Sequence, residues 1–154
     1  MMPLPRLDPS ITVLMADDDP DDCRLTVDAF RAAQLDNPLQ FVEDGAALLD
    51  YLKRRDRYAD VAGALPGLIL LDLNMPRIDG REALAEIKSD TALRHIPIVV
   101  LTTSSAERDI EGAYRAGCNS YIQKPDTFTG LVDIVAALGR YWFAVVDLPE
   151  RPAR

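Results

Sequence analysis

Short apolar runs alternate with stretches of helical period along this chain, a pattern that predicts strands interleaved with helices. The expected strands are residues 11–16, 39–42, 68–71, 98–102 and 120–122. Leu68-Ile69-Leu70-Leu71 and Ile98-Val99-Val100-Leu101 are apolar at every position, not every second one. Both faces of those strands therefore require cover, as at the centre of a parallel sheet with helices on each side. Helices fit the intervals. Asp19 before Pro20 is an N-cap followed by a proline at the first helical position, with Asp21 and Asp22 where the helix dipole favours negative charge. That helix is expected to end near Ala33. A second follows Asp44-Gly45 with Leu48, Leu49 and Leu52, and a third carries Leu84 and Ile87. A fourth carries Ile110 and Tyr114, starts from Ser104 or Ser105 as cap, and stops at Gly117, where a left-handed residue is wanted. The last begins near Asp126 or Thr127 and runs toward Val146.

The expected fold class is thus α/β, a doubly wound five-stranded parallel sheet with helices on both faces. One domain over residues 10–147 absorbs the pattern, leaving 1–9 and 148–154 as flexible ends. A length of 154 residues with 48% apolar content suffices for one continuous core. The net charge of -8 argues against a nucleic-acid footprint, which needs clustered Lys and Arg. The first residues lack the basic and apolar regions of a secretory signal, and no uninterrupted apolar run approaches the roughly 18 residues of a membrane span. A cytoplasmic protein is expected. Cys23 and Cys118 lack metal-ligand spacing and read as reduced thiols.

Chemistry concentrates where such a sheet places ligands, just past the carboxyl ends of its strands. The first strand ends in Asp17-Asp18, the third in Asp72, the fourth in Thr102 and the fifth in Lys124-Pro125. Three carboxylates in one pocket repel one another unless a cation is present. Mg2+ suits hard oxygen ligands and keeps several waters. A carboxylate can attack phosphorus to form an acyl phosphate, while a metal, an ammonium and a hydroxyl neutralise the phosphoryl oxygens. Asp72, Lys124 and Thr102 supply the protein's share of that chemistry.

The motifs VLMADD, LILLDLNMPRIDG, IPIVVLTTS and SYIQKP, in this order, resemble those of receiver domains of two-component response regulators over roughly residues 11–140. The resemblance implies a flavodoxin-like sheet in the order 2-1-3-4-5. It implies that Asp72 accepts a phosphoryl group from a sensor histidine kinase. Asp18 would ligate Mg2+ directly, Asp17 largely through water, and Asn74 through its backbone carbonyl. Lys124 would contact the phosphoryl group next to a cis bond to Pro125, and Gly80 would permit a tight turn. Thr102 and Tyr121 would be the switch pair, the hydroxyl moving toward phosphate and the ring turning inward. DLNMPRIDG, LRHIPIVVLTTS and the aromatic ending before Leu148-Pro149 resemble the stand-alone regulators partnered with bacterial phytochrome kinases.

Other readings use the same residues. A haloacid-dehalogenase-type phosphatase would take Asp17 and Asp19 as nucleophile and acid, but it lacks a later paired-acid motif and leaves Asp72 idle. A calcium loop would need glycine where Asp22 stands. A receiver kept only for protein binding would lack a key residue, and none is missing. Asp19, Asp21 and Asp22 read as solvated capping acids, and His95 as a loop bystander. With no output segment in the chain, signalling is expected to pass through protein contacts. In the last helix, Leu131, Ile134, Val135, Leu138, Trp142 and Val145 form an inward stripe. Val132, Ala136, Gly139, Phe143 and Val146, with Tyr141, are left for a homodimer contact.

Overall fold

In a computed structural model, which describes residues 6–149, five parallel strands form one sheet: β1 (Val13–Ala16), β2 (Leu39–Val42), β3 (Leu68–Leu71), β4 (Ile98–Thr102) and β5 (Ser120–Gln123). Their order is β2-β1-β3-β4-β5. The helices are α1 (Pro20–Ala32), α2 (Gly45–Lys53), α3 (Gly80–Ser89), α4 (Glu107–Ala116) and α5 (Phe128–Arg140), with a 3-10 turn at Asp56–Tyr58. The expected sheet, its order and all five helices are present.

Successive side chains of a strand point to opposite faces, so each central strand feeds two cores. Leu14, Ala16, Ile69, Leu71, Ile98 and Val100 join one cluster with the inner sides of α2, α3 and α4. Val13, Met15, Leu68, Leu70 and Val99 join the other, closed by α1 and α5. β3 and β4 are buried along their whole length, which is why they lack polar alternation. Asp19 caps α1 by accepting the Asp21 N–H, and Gly117 ends α4 at φ 109°, where a side chain would be strained.

Three features depart from the sequence expectations. Serine does not cap α4: its first turn opens from Ala106. Ser104 Oγ is committed to the Asp109 carboxylate at 2.6 Å and accepts only the Ala106 N–H, at 3.3 Å. The Lys124–Pro125 bond is trans, since no peptide bond among the described residues is cis. The ammonium reaches the strand-end carboxylates across that trans bond. The third departure lies in the last helix. After Arg140 the chain makes a π turn, Tyr141–Val145, in which Val146 N–H donates to Tyr141 O at 3.0 Å. This wider turn carries the apolar stripe from Leu138 to Phe143, with Trp142 partly buried against the same core, and leaves Val145 outside. Phe143 and Gly139, expected outside, are buried, while Val145, expected inside, is 55% exposed.

Two of the sequence expectations concern the ends, residues 1–9 and 148–154. Asp8 N–H donates to Phe143 O, and Asn37 Nδ2 donates to Asp8 O, so this part of 1–9 is tied down. The rest of those two calls, residues 1–5 and 150–154, lies outside the described residues. By length and composition alone the 18 residues Phe128–Val145, with mean hydropathy 1.3, could span a bilayer. That is weak evidence for a span, because the inner side of this stretch packs against the sheet and α1.

Candidate functional site

Each functional side chain is delivered by a strand whose ladder fixes its end. Asp17 N–H donates to Val42 O, Asp72 N–H to Ala16 O and Lys124 N–H to Thr102 O, so the residues leaving β1, β3 and β5 are in register with their neighbours. The parallel sheet thereby brings Asp17, Asp72, Thr102 and Lys124 to one edge.

At that edge Asp72 is buried, and both its carboxylate oxygens are engaged. Oδ1 accepts from Thr102 Oγ1 at 2.8 Å and from the Asn74 N–H at 3.1 Å. Oδ2 lies 3.1 Å from Lys124 Nζ. The same ammonium lies 2.8 Å from Asp17 Oδ2 and 2.7 Å from Asp22 Oδ2. Asp22 is the functional contact missed in the sequence. Its place in the first turn of α1 has a sufficient explanation in the helix dipole, and no local signal shows that a lysine 102 positions later folds onto it.

Burial pushes the Asp17 carboxyl up to about 6, against the opposing pull of the Lys124 hydrogen bond and charge. Burial alone would lower the Lys124 pKa, but hydrogen bonds to Asp17 and Asp22 outweigh it and hold the ammonium above its ordinary value. Cys23 is pushed up to about 11 by burial and by the neighbouring Asp17, Asp22 and Asp19 charges, which leaves it an unreactive thiol.

Carboxylate oxygens of Asp17, Asp18 and Asp72 lie within 4.8 Å of one another. An all-oxygen donor set of this kind fits a hard divalent ion, and Asp18, which is exposed, keeps one side open for water and substrate. The Asn74 backbone is anchored beside them through its N–H.

The loop carrying Asn74 is braced from two sides. Gly45 N–H donates to Ile78 O, and Arg77 pairs with the buried Asp44, which also caps α2 through the Ala47 N–H. Gly80 N–H closes the loop onto Leu73 O, and a Cβ there would overlap the Asp72 carbonyl oxygen. Close approach, not an unusual φ, is what requires glycine at this position.

The expected switch pair is already turned inward. Thr102 is fully buried and donates to Asp72, while the Tyr121 hydroxyl donates to Ser104 O at 2.9 Å and its ring packs against the α2, α3 and α4 core. Behind it, Arg81 Nε and Nη2 grip Asp109 at 3.0 and 2.9 Å, and Ser104 Oγ donates to the same carboxylate. The Arg81 and Ser104 hydrogen bonds hold the Asp109 carboxyl down at about 2. His95 sits beside Ile96 and Pro97, which precede β4, at the opposite end of that strand from the carboxylates.

The model of the response regulator receiver domain matches residues 13–136. Response regulator Rcp1 of Synechocystis is 37% identical over 141 residues, covering 92% of this chain and 95% of its own length. Among solved structures, the phosphorylated cyanobacterial phytochrome response regulator RcpA superposes with TM-score 0.85 at 38% identity, covering 92% of this chain and 99% of its own. The Mn2+-bound form of Rcp1 superposes with TM-score 0.83 at 36% identity, covering 91% and 99%.

Proposed function

The chain belongs to the response regulator receiver domain family, and from that premise we propose that Asp72 takes a phosphoryl group from a phosphohistidine on a sensor kinase, the kinase being a bacterial phytochrome. The observation that carries the assignment to Asp72 is its double engagement, with Thr102 and the Asn74 N–H on one oxygen and Lys124 on the other. Among the carboxylates at this edge, it alone has a hydroxyl and an ammonium on opposite oxygens.

In the transfer, an oxygen of Asp72 attacks phosphorus as the P–N bond to the imidazole breaks, and the departing imidazole takes up a proton. Lys124 donates to a phosphoryl oxygen and offsets its charge, and Thr102 moves its hydrogen bond from Asp72 Oδ1 to the new group. Asp17, Asp18, Asp72 and the Asn74 carbonyl would hold the divalent ion, Mg2+ in the cell. When bound, it supplies charge neutralisation at the phosphoryl oxygens.

The Thr102 hydroxyl and the Tyr121 ring respond together because both are tied to the β4–α4 loop, Thr102 as the last residue of β4 and Tyr121, in β5, through its hydroxyl bonded to the Ser104 carbonyl. Output passes through protein contacts in the cytoplasm. One contact is a homodimer built on the last helix and its aromatic extension, where Tyr141 and Val145 stand 52% and 55% exposed on one side of the π turn. The phosphatase alternative is disfavoured: Asp19, which it needs as the acid, is spent capping α1.

The test is intact-mass spectrometry after incubation with acetyl phosphate and Mg2+. One added phosphoryl group is expected on the parent protein, and none on Asp72→Asn or with the metal chelated. A single phosphoryl group on Asp72→Asn would refute the assignment.

A further inference from the structure

Lys124 has three ammonium hydrogens and three carboxylate partners, so it has no donor to spare for a phosphoryl group. Its shortest contact is with Asp22, at 2.7 Å, and its longest is with Asp72, at 3.1 Å. Asp22 stands apart from the three carboxylates that cluster for a metal. It belongs to α1 and has a 32% exposed side chain, while Lys124 itself is 15% exposed. The two side chains sit on the rim of a small cavity between α1 and the start of α5, bounded by Leu25, Pro125 and Phe128. Both side chains line that space, so on that side neither is fully packed against protein.

The geometry points to Asp22 as a positioning residue that competes with the phosphorylated Asp72 for Lys124 and so sets how tightly the phosphoryl group is held. The inference rests on the reading of Asp72 as acceptor. In the resting protein, Asp22 draws the ammonium toward α1. A phosphoryl group on Asp72 adds charge and acceptor oxygens on the other side of the same ammonium. The hydrogen that it recruits must come from Asp72, Asp17 or Asp22. Asp17 is fully buried on its side chain and cannot rotate into water, whereas Asp22 is partly solvated and loses least when released. Asp22 is therefore the partner that yields, and its release couples the first turn of α1 to the state of Asp72.

The competition is measurable with beryllofluoride, a noncovalent phosphoryl mimic, titrated into the full chain at saturating Mg2+ by calorimetry. Asp22→Asn removes the competitor and is expected to tighten beryllofluoride about tenfold, a gain of about 1.4 kcal/mol. Asp22→Glu keeps the carboxylate and is expected to bind closer to the parent than to Asp22→Asn. Asp21→Asn controls for charge alone. It removes the same charge one residue away, from a side chain paired with Arg24 and 70% exposed, and is expected to stay within about twofold of the parent. Equal or weaker binding by Asp22→Asn, or equal tightening by Asp21→Asn, would overturn the inference while leaving Asp72 as acceptor. A parent protein that takes no beryllofluoride would overturn the acceptor reading itself.

Discussion

The two faces of the sheet are built from the same strands yet are finished differently. Under α2, α3 and α4, residues such as Leu48, Leu52, Leu84 and Ile87 are 0–1% exposed, with Tyr51, Tyr58, Ile78 and Tyr121 partly buried at the margin. Under α1 and α5, Phe30, Val135 and Phe143 are buried, but Leu131, Val132, Ile134 and Trp142 are only partly covered. The first face is a packed block that fixes where β1, β3 and β4 end, and thus where Asp17, Asp72 and Thr102 stand. The second leaves partly covered apolar residues along α5 and a cavity beside Lys124, which suits it to the proposed homodimer contact. Position is set chiefly on one side, and the proposed contact lies on the other.

If that division is real, truncations of equal size should cost unequal amounts. Leu84→Ala, in the closed face, is expected to lower unfolding stability by about 4 kcal/mol, and Leu131→Ala, half-exposed on the open face, by about 1 kcal/mol. Urea denaturation of both variants measures the difference, and equal losses would remove the distinction. Within the open face, the π turn sorts core from surface. Phe143→Ala is expected to cost about 3 kcal/mol, whereas Tyr141→Ser with Val145→Ser is expected to leave stability within about 0.5 kcal/mol and to abolish the proposed dimer in light scattering. A double variant that stays dimeric would move the interface elsewhere.

The smallest effect concerns the Arg81–Asp109 pair behind Tyr121. Arg81→Ala is expected to cost about 1 kcal/mol near neutral pH. The Asp109 carboxyl is held at about 2 in the folded protein against 3.8 ordinarily, so the native state binds fewer protons than the unfolded state between those values. The stabilisation is present in full above about pH 4 and is lost as pH falls through about 2. The gap between parent and variant should close over that interval in acid-denaturation curves, and a gap independent of pH would contradict the pairing.

The central strands were legible because residues 68–71 and 98–101 are apolar at every position, a pattern that few other elements produce. Asp72, Thr102 and Lys124 were legible because strand ends are where a parallel sheet collects ligands. The π turn was not, since a helical stripe read at constant period has no way to announce an inserted residue, and Phe143 and Val145 were exchanged in consequence. Asp22 and the Arg81–Asp109–Ser104 bridge were missed for a shared reason. Each residue has a local role as a helix acid, a helix base or a cap, and its distant partner is fixed only by packing.

In the proposed mechanism the acyl phosphate forms on Asp72 and nowhere else. Borohydride reduces an aspartyl phosphate to homoserine, so treating the phosphorylated protein with borohydride and mapping its peptides by mass spectrometry reads the site directly. Homoserine is expected at position 72 alone, in an amount that follows the phosphorylated fraction. Homoserine at Asp17 or Asp18, or phosphate retained on His95 with residue 72 unreduced, would contradict it.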